Sequence, residues 1–114
     1  MPDAVELSPD DAKLVTLARS ARARNNATEG AAVRDDTGRT YVATTVELAS
    51  LALSALQAAV VIAVASGADA IEAAAIVGAQ ATARTEDLAV VADLSPSAPI
   101  MLAGVDGAVH RVIG

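Results

Sequence analysis

Cysteine is absent from this chain, histidine occurs once (His110), and phenylalanine and tryptophan do not occur at all. Without cysteine there is no disulfide, no thiolate nucleophile and no cysteine-based zinc site. A single histidine removes most of the remaining metal and catalytic-triad arrangements. Basic residues are few as well: eight Lys and Arg stand against fourteen Asp and Glu, a formal net charge of -6. That balance argues against a nucleic-acid surface. A lone tyrosine leaves almost nothing on which an aromatic ligand could stack.

What the chain does contain is small and apolar. Hydrophobic residues make up 54% of its 114 positions, and 29 of these are Ala. This is far too apolar for a disordered chain, and the length suits one domain spanning residues 1–114. Arg outnumbers Lys seven to one, which with the abundant Ala, Val, Asp and Gly reads as the composition of a GC-rich bacterial genome. The start, Met1-Pro2-Asp3-Ala4-Val5-Glu6, is acidic and lacks the cationic region of a secretory signal, so the cytoplasm is the expected location.

From Leu48 to Ala68 no residue is charged, a run long enough to cross a bilayer. It is rich in Ala, contains Ser50, Ser54, Gln57 and Ser66, and has neither flanking cations nor an aromatic belt. A long helix buried within a small α/β domain is the better expectation, with no membrane span.

Local signals divide the rest of the chain. Ser8, Pro9, Asp10 and Asp11 mark a helix start, and Leu14, Leu17, Ala18 and Ala21 form its apolar stripe. Arg19, Arg22 and Arg24 crowd its last turn before Asn25-Asn26. A strand beginning Gly30-Ala31-Ala32-Val33 turns at Asp35-Asp36-Thr37-Gly38 and returns along Arg39–Thr44. The long helix stops at Ser66-Gly67. Glu72–Gly78 suits a strand buried on both faces, and Thr85 caps a helix running from Glu86 to about Leu94. Ile100–Ala103 and Ala108–Ile113 pair around Val105-Asp106-Gly107. The predicted order is α-β-β-α-β-α-β-β.

That order, and several local sequences within it, resemble the cytidine deaminase family. Gly30-Ala31-Ala32-Val33 is similar to the family's Gly-Ala-Ala-Leu strand, Thr37-Gly38-Arg39 to its Asp-Gly-Arg hairpin, and Thr45-Val46-Glu47-Leu48-Ala49-Ser50 to its Asn-Val-Glu-Asn-Ala-Ser. Ala63-Val64-Ala65-Ser66-Gly67 and Val105-Asp106-Gly107 fall at the family's spacing. The resemblance runs roughly from Leu14 to Val112 and implies a three-layer sandwich: a mixed sheet of about five strands with helices on both faces.

The same resemblance implies that the chemistry is gone. Family members hold zinc through Cys-Ala-Glu or His-Ala-Glu at the start of the central helix and Pro-Cys-x-x-Cys at the next. Counting from Gly67 places the first motif at Ser54-Ala55-Leu56, with Ser54 at a ligand position and Leu56 at that of the general acid/base. That count leaves about two residues missing between Ser50 and Ser54; counting from Glu47 places the motif instead at Leu56-Gln57-Ala58. Counting back from Pro99 puts Arg84 and Asp87 at the two cysteine positions, either as an internal ion pair or as an exposed helix start. Either way no zinc, no other cofactor and no catalytic residue is expected. Thr45 and Glu47 occupy positions whose family counterparts contact the nucleoside. Ala27 and the region of Leu51 stand where the family has aromatic residues, so the pocket is expected to be reshaped. His110 is expected to be a surface residue rather than a catalytic one.

The expectation is therefore an inactive deaminase-like protein, a homodimer or homotetramer through the Leu48–Ala68 helix, with a structural, regulatory or partner-binding role. Two alternatives stand beside it: a pyrimidine nucleoside or nucleotide binder, and a cytidine deaminase by descent.

Overall fold

The first helix begins where the sequence places its cap. In a computed structural model that describes residues 6–79 and 81–114, α1 spans Pro9–Asn25, and the Ser8 hydroxyl accepts the Asp11 amide. Asn26 ends it in the left-handed conformation, φ 50°. The acidic start Met1–Val5, on which the argument against a secretory leader rests, lies outside the described residues.

Among the described residues seven strands and two further helices follow: β1 (Glu29–Asp35), β2 (Thr40–Thr44), β3 (Val46–Glu47), β4 (Ala52–Leu53), α2 (Ala55–Ala65), β5 (Ile71–Gly78), α3 (Thr85–Leu94), β6 (Ile100–Ala103) and β7 (Val109–Ile113). Five of the strands make a mixed sheet, ordered β2-β1-β5-β6-β7, in which only β5 and β6 run parallel. The parallel pair is joined through α3, as a crossover connection requires. α1 covers one face of the sheet; α2 and α3 cover the other. This is the three-layer α/β sandwich expected from the sequence.

Period-two alternation sorts the side chains between the layers. Along β1, Ala31 and Val33 join the core beneath α2, with Leu56, Ala59, Ile76 and Leu102. Ala32 points the other way, to Leu14, Ala18, Ala75, Val77 and Met101 beneath α1. β5 is buried along its whole length except at Glu72, matching the two-sided burial read from its apolar run. Arg34 crosses three elements, donating to Asp11 at 3.0 Å and to Glu72 at 2.9 Å.

The charge-free run behaves differently from expectation. It is not one helix from Leu48 to Ala68: β4 and its turn from β3 take the first part, and α2 is only 11 residues long. Two local causes set its ends. Ser54 and Gln57 form a reciprocal capping box, the Ser54 hydroxyl accepting the Gln57 amide at 3.1 Å and Gln57 Oε1 accepting the Ser54 amide at 3.0 Å. At the far end Gly67 adopts φ +98°, which turns the Ala68 amide back to the Ala63 carbonyl. Among the described residues, no helix is long and apolar enough to cross a membrane.

α1 packs closely on β1 at Gly30. A Cβ placed on Gly30 would sit 2.1 Å from the Ala18 carbonyl oxygen, which is main chain and cannot swing aside. Gly30→Ala should therefore cost about 3 kcal/mol, the upper range for overpacking. Urea unfolding checks this: the variant's midpoint should fall, and an unchanged midpoint would remove the claim that main-chain contact sets this spacing.

Candidate functional site

Two helix starts and the near end of β1 converge on one side of the sheet. Ser54 caps α2, and Arg84 holds the cap position of α3 in extended conformation. The sequence places that cap at Thr85; the structure makes Thr85 the first helical residue instead. The reason is Asp87. Its Oδ2 accepts the Arg84 amide at 3.1 Å, so a carboxylate from the first turn serves the helix entry and a Thr hydroxyl is not needed there.

Asp87 is fully buried. Its second oxygen, Oδ1, accepts a short hydrogen bond from the Ser54 hydroxyl. Both of its oxygens are thus engaged, and through them the starts of α2 and α3 are tied together. Burial in this position suits a carboxylate because both helix starts present positive dipole ends to it.

Arg84 does not pair with the Asp87 side chain, although the spacing allows it. Its guanidinium turns away to Glu29, Nη1 lying 3.6 Å from Oε1. Glu29 is the site residue that the sequence reading missed. It opens β1, its main chain is paired to Thr45, and its Cγ lies over Gly78, where a Cβ would approach it to 3.1 Å. Its side chain is only 7% exposed. A signal for it does exist: Glu29 is in phase with Ala31 and Val33, so strand alternation alone puts its carboxylate on the inward face. Burial pushes the Glu29 carboxyl above its ordinary value; Arg84 pulls it down, Asp87 pushes it up, and burial outweighs the pair.

These groups border an open cavity of about 320 Å³. Ser54, Arg84, Thr45 and Glu47, all singled out from the sequence, line it, joined by Glu29, Gln57 and Glu86. Thr45 Oγ1 accepts the Glu29 amide at 3.3 Å, and Glu47 is exposed. Asp87 lies behind the wall and does not line it. Leu56, completely buried, faces the core rather than the cavity. No aromatic side chain among the described residues lines the cavity. Among the described residues no three His, Asp or Glu side chains are placed to hold a metal ion. His110 is exposed and borders a different depression of about 360 Å³, beside Arg111 and Ile113.

A family model described as cytidine deaminase-like matches residues 7–107. Among solved structures, the chain is similar to a cytidine deaminase from Burkholderia pseudomallei, with 26% identity, a TM-score of 0.78 and 90% of each chain covered. A cytidine deaminase from Mycobacterium tuberculosis is 25% identical, with a TM-score of 0.69 over 83% of this chain and 85% of that one. The Mycobacterium leprae enzyme shares the fold at 22% identity and a TM-score of 0.71, over 93% of this chain and 94% of that one. No curated protein sequence matches significantly.

The raised Glu29 carboxyl has a consequence for stability. The folded chain holds this proton more tightly than the unfolded chain, whose carboxyl titrates near 4.5. Stability therefore falls as pH rises through the folded value. Glu29→Gln removes that penalty: its melting temperature should exceed the wild type's at pH 7 to 8, and the difference should close as the pH is lowered below about 4.5. A variant that is less stable at neutral pH, by thermal denaturation, would mean that the Arg84 pair outweighs burial.

Proposed function

Because the chain belongs to the cytidine deaminase-like family, we propose that it keeps that fold without the zinc chemistry, as a non-deaminating protein with a structural, regulatory or partner-binding role. The observation that carries this reading is the engagement of Asp87. Its two oxygens are held by the Ser54 hydroxyl and the Arg84 amide, and it lies behind the cavity wall rather than facing the cavity.

The donor chemistry points the same way. A zinc site of this kind needs thiolate or imidazole ligands around the cation. The corresponding positions here offer a neutral hydroxyl (Ser54), a carboxylate already bonded (Asp87) and a permanent cation (Arg84), which would repel the metal. These residues do not fit zinc. At the position of the family's acid/base stands Leu56, apolar and turned into the core. Without a metal to lower its pKa, a water at neutral pH is a poor nucleophile for hydrolytic deamination.

Elemental analysis of the purified protein should find zinc well below one ion per chain, and incubation with cytidine should release no ammonia above the buffer blank. Stoichiometric zinc together with deamination would overturn the reading in favour of an active enzyme. That Thr45 and Glu47 both reach the cavity favours a second reading, nucleoside binding without turnover; calorimetric silence with cytidine, uridine and their phosphates would reject it.

The reading includes self-assembly. α2 carries no charge, and Val61, Ile62 and Val64 project outward from it, each between 42% and 50% exposed. Leu48 and Leu51 are exposed on the adjoining β3–β4 segment. An apolar face of this kind suits a second copy of the chain, because small domains bury too little surface alone. Light scattering at micromolar concentration should give the mass of a dimer or tetramer, and Val61→Glu with Val64→Glu should give a monomer. A monomeric wild type would reject this assembly.

A further inference from the structure

We propose that β7 is a docking edge for an extended acidic segment of a partner protein, which adds to the sheet as a further strand. The inference stands apart from the loss of zinc chemistry, because β7 does not line the cavity beside Glu29 and Arg84.

The five-stranded sheet ends in β2 on one side and β7 on the other, and the two edges differ. Every residue of β2 is half-buried, and its side chains are engaged. The Tyr41 hydroxyl donates to Asp35, and Thr44 Oγ1 accepts from the Asn25 amide. On β7, by contrast, His110, Arg111 and Val112 are all exposed. Among the described residues its main chain pairs with β6 alone, which leaves the N–H and C=O groups of its outer side open to another strand.

The side chains specify what such a strand would carry. Arg111 lies opposite Leu102, and cross-strand neighbours share a face, so Arg111 and Ile113 belong to the α3 side. There they border the depression of about 360 Å³ with Leu88, Leu102 and Ala81. Leu88 is 39% exposed on its α3 wall. On the α1 side Val112, opposite Met101, is 41% exposed. No carboxylate among the described residues lines the depression, and Arg111 forms no ion pair with them, in a chain whose net charge is -6. The complementary strand therefore places an acid opposite Arg111. Two positions away, opposite Ile113, it places an apolar side chain that reaches the depression.

Charge also argues against a second copy of this chain as the occupant. Two β7 strands pairing antiparallel about their midpoint would set Arg111 directly against Arg111, and like charges in that position are destabilising. A cation on an edge strand guards against indiscriminate pairing. An acidic strand is the one that it admits. In strand addition the main chain supplies affinity, and the alternate side chains supply selectivity.

Fluorescence polarisation with the full chain at low ionic strength tests this, using a labelled, capped peptide Thr-Leu-Val-Glu-Val-Thr. Run antiparallel to β7, it sets its Glu opposite Arg111 and its Leu opposite Ile113. The controls are the same peptide with Lys in place of Glu, and two copies N-methylated at alternate residues in either phase. The Glu peptide should bind saturably, the Lys peptide about fivefold more weakly or worse, and one methylated copy not at all. Arg111→Glu, a change at an exposed side chain, should reverse the preference between the Glu and Lys peptides. The proposal is overturned if the Glu peptide does not bind, if the Lys peptide binds as tightly, or if Arg111→Glu leaves the preference unchanged. It is equally overturned if both methylated copies bind like the parent, which would exclude main-chain pairing. A fall in the mass of the wild type by light scattering on adding the peptide would also overturn it, since a second copy would then hold this edge. None of these measurements involves the zinc position, so failure here leaves the reading of a non-deaminating protein as it stood.

Discussion

The close approach of Gly30 of β1 to the Ala18 carbonyl of α1 sets the spacing on which the layers depend. Main chain meets main chain there, so α1 lies nearer the sheet than any larger residue would permit. The rest of the interior is scaled to match. Beneath α1 the sheet presents Ala32, Ala73, Ala75 and Ala103, and beneath α2 it presents Ala31 and Ala74 against Ala55, Ala59 and Ala63. Such a core fits closely but removes little apolar area per residue from water. Larger side chains, among them Leu14, Leu56, Ile76 and Met101, are fully buried between these alanines. In a chain this small, two-sided burial of β5 compensates, since almost every residue of that strand is enclosed.

The inward face of β1 shows how one strand can carry both core and chemistry. Glu29, Ala31, Val33 and Asp35 share it, apolar in the middle and acidic at both ends. Asp35 closes the β1–β2 turn, and its four donors hold its pKa down to about 2. Glu29, at the opposite end, meets the converging starts of α2 and α3 and is left with a distant guanidinium. Identical charge and similar burial thus produce a hydrogen-bonded clasp at one end and an ion pair beside an open cavity at the other. The difference lies in the donors that the surrounding backbone supplies.

Much of this was legible before any coordinates. Ser8 with Pro9 located α1, the turn residues Asp35–Gly38 located β1 and β2 on either side, the apolar run Glu72–Gly78 located β5, and the hairpins at Gly38 and Gly107 fell where their turn residues stand. The length of α2 was not, because the uncharged run reads as one helix, although Ser54-x-x-Gln57 before its apolar stretch is the pattern of a capping box. The α3 entry was misread for a related reason. Thr85 is a good cap by composition, and only the buried position of Asp87 makes its carboxylate the better partner for the Arg84 amide. Ser54, Thr45, Glu47 and Arg84 do meet at one cavity, whereas Leu56 turns into the core.

The sequence by itself determined which chemistries are closed to this protein and which elements it forms, because residue type limits ligand chemistry and the spacing of apolar side chains dictates helix or strand. What tertiary structure alone decided is how the charged residues pair. Arg84 stands three residues from Asp87 but answers to Glu29, far away in the chain, and Asp87 answers to Ser54. Ion pairs and hydrogen bonds depend on distances of a few ångströms and on which groups are dry. Those are properties of the packed layers, and no local pattern records them.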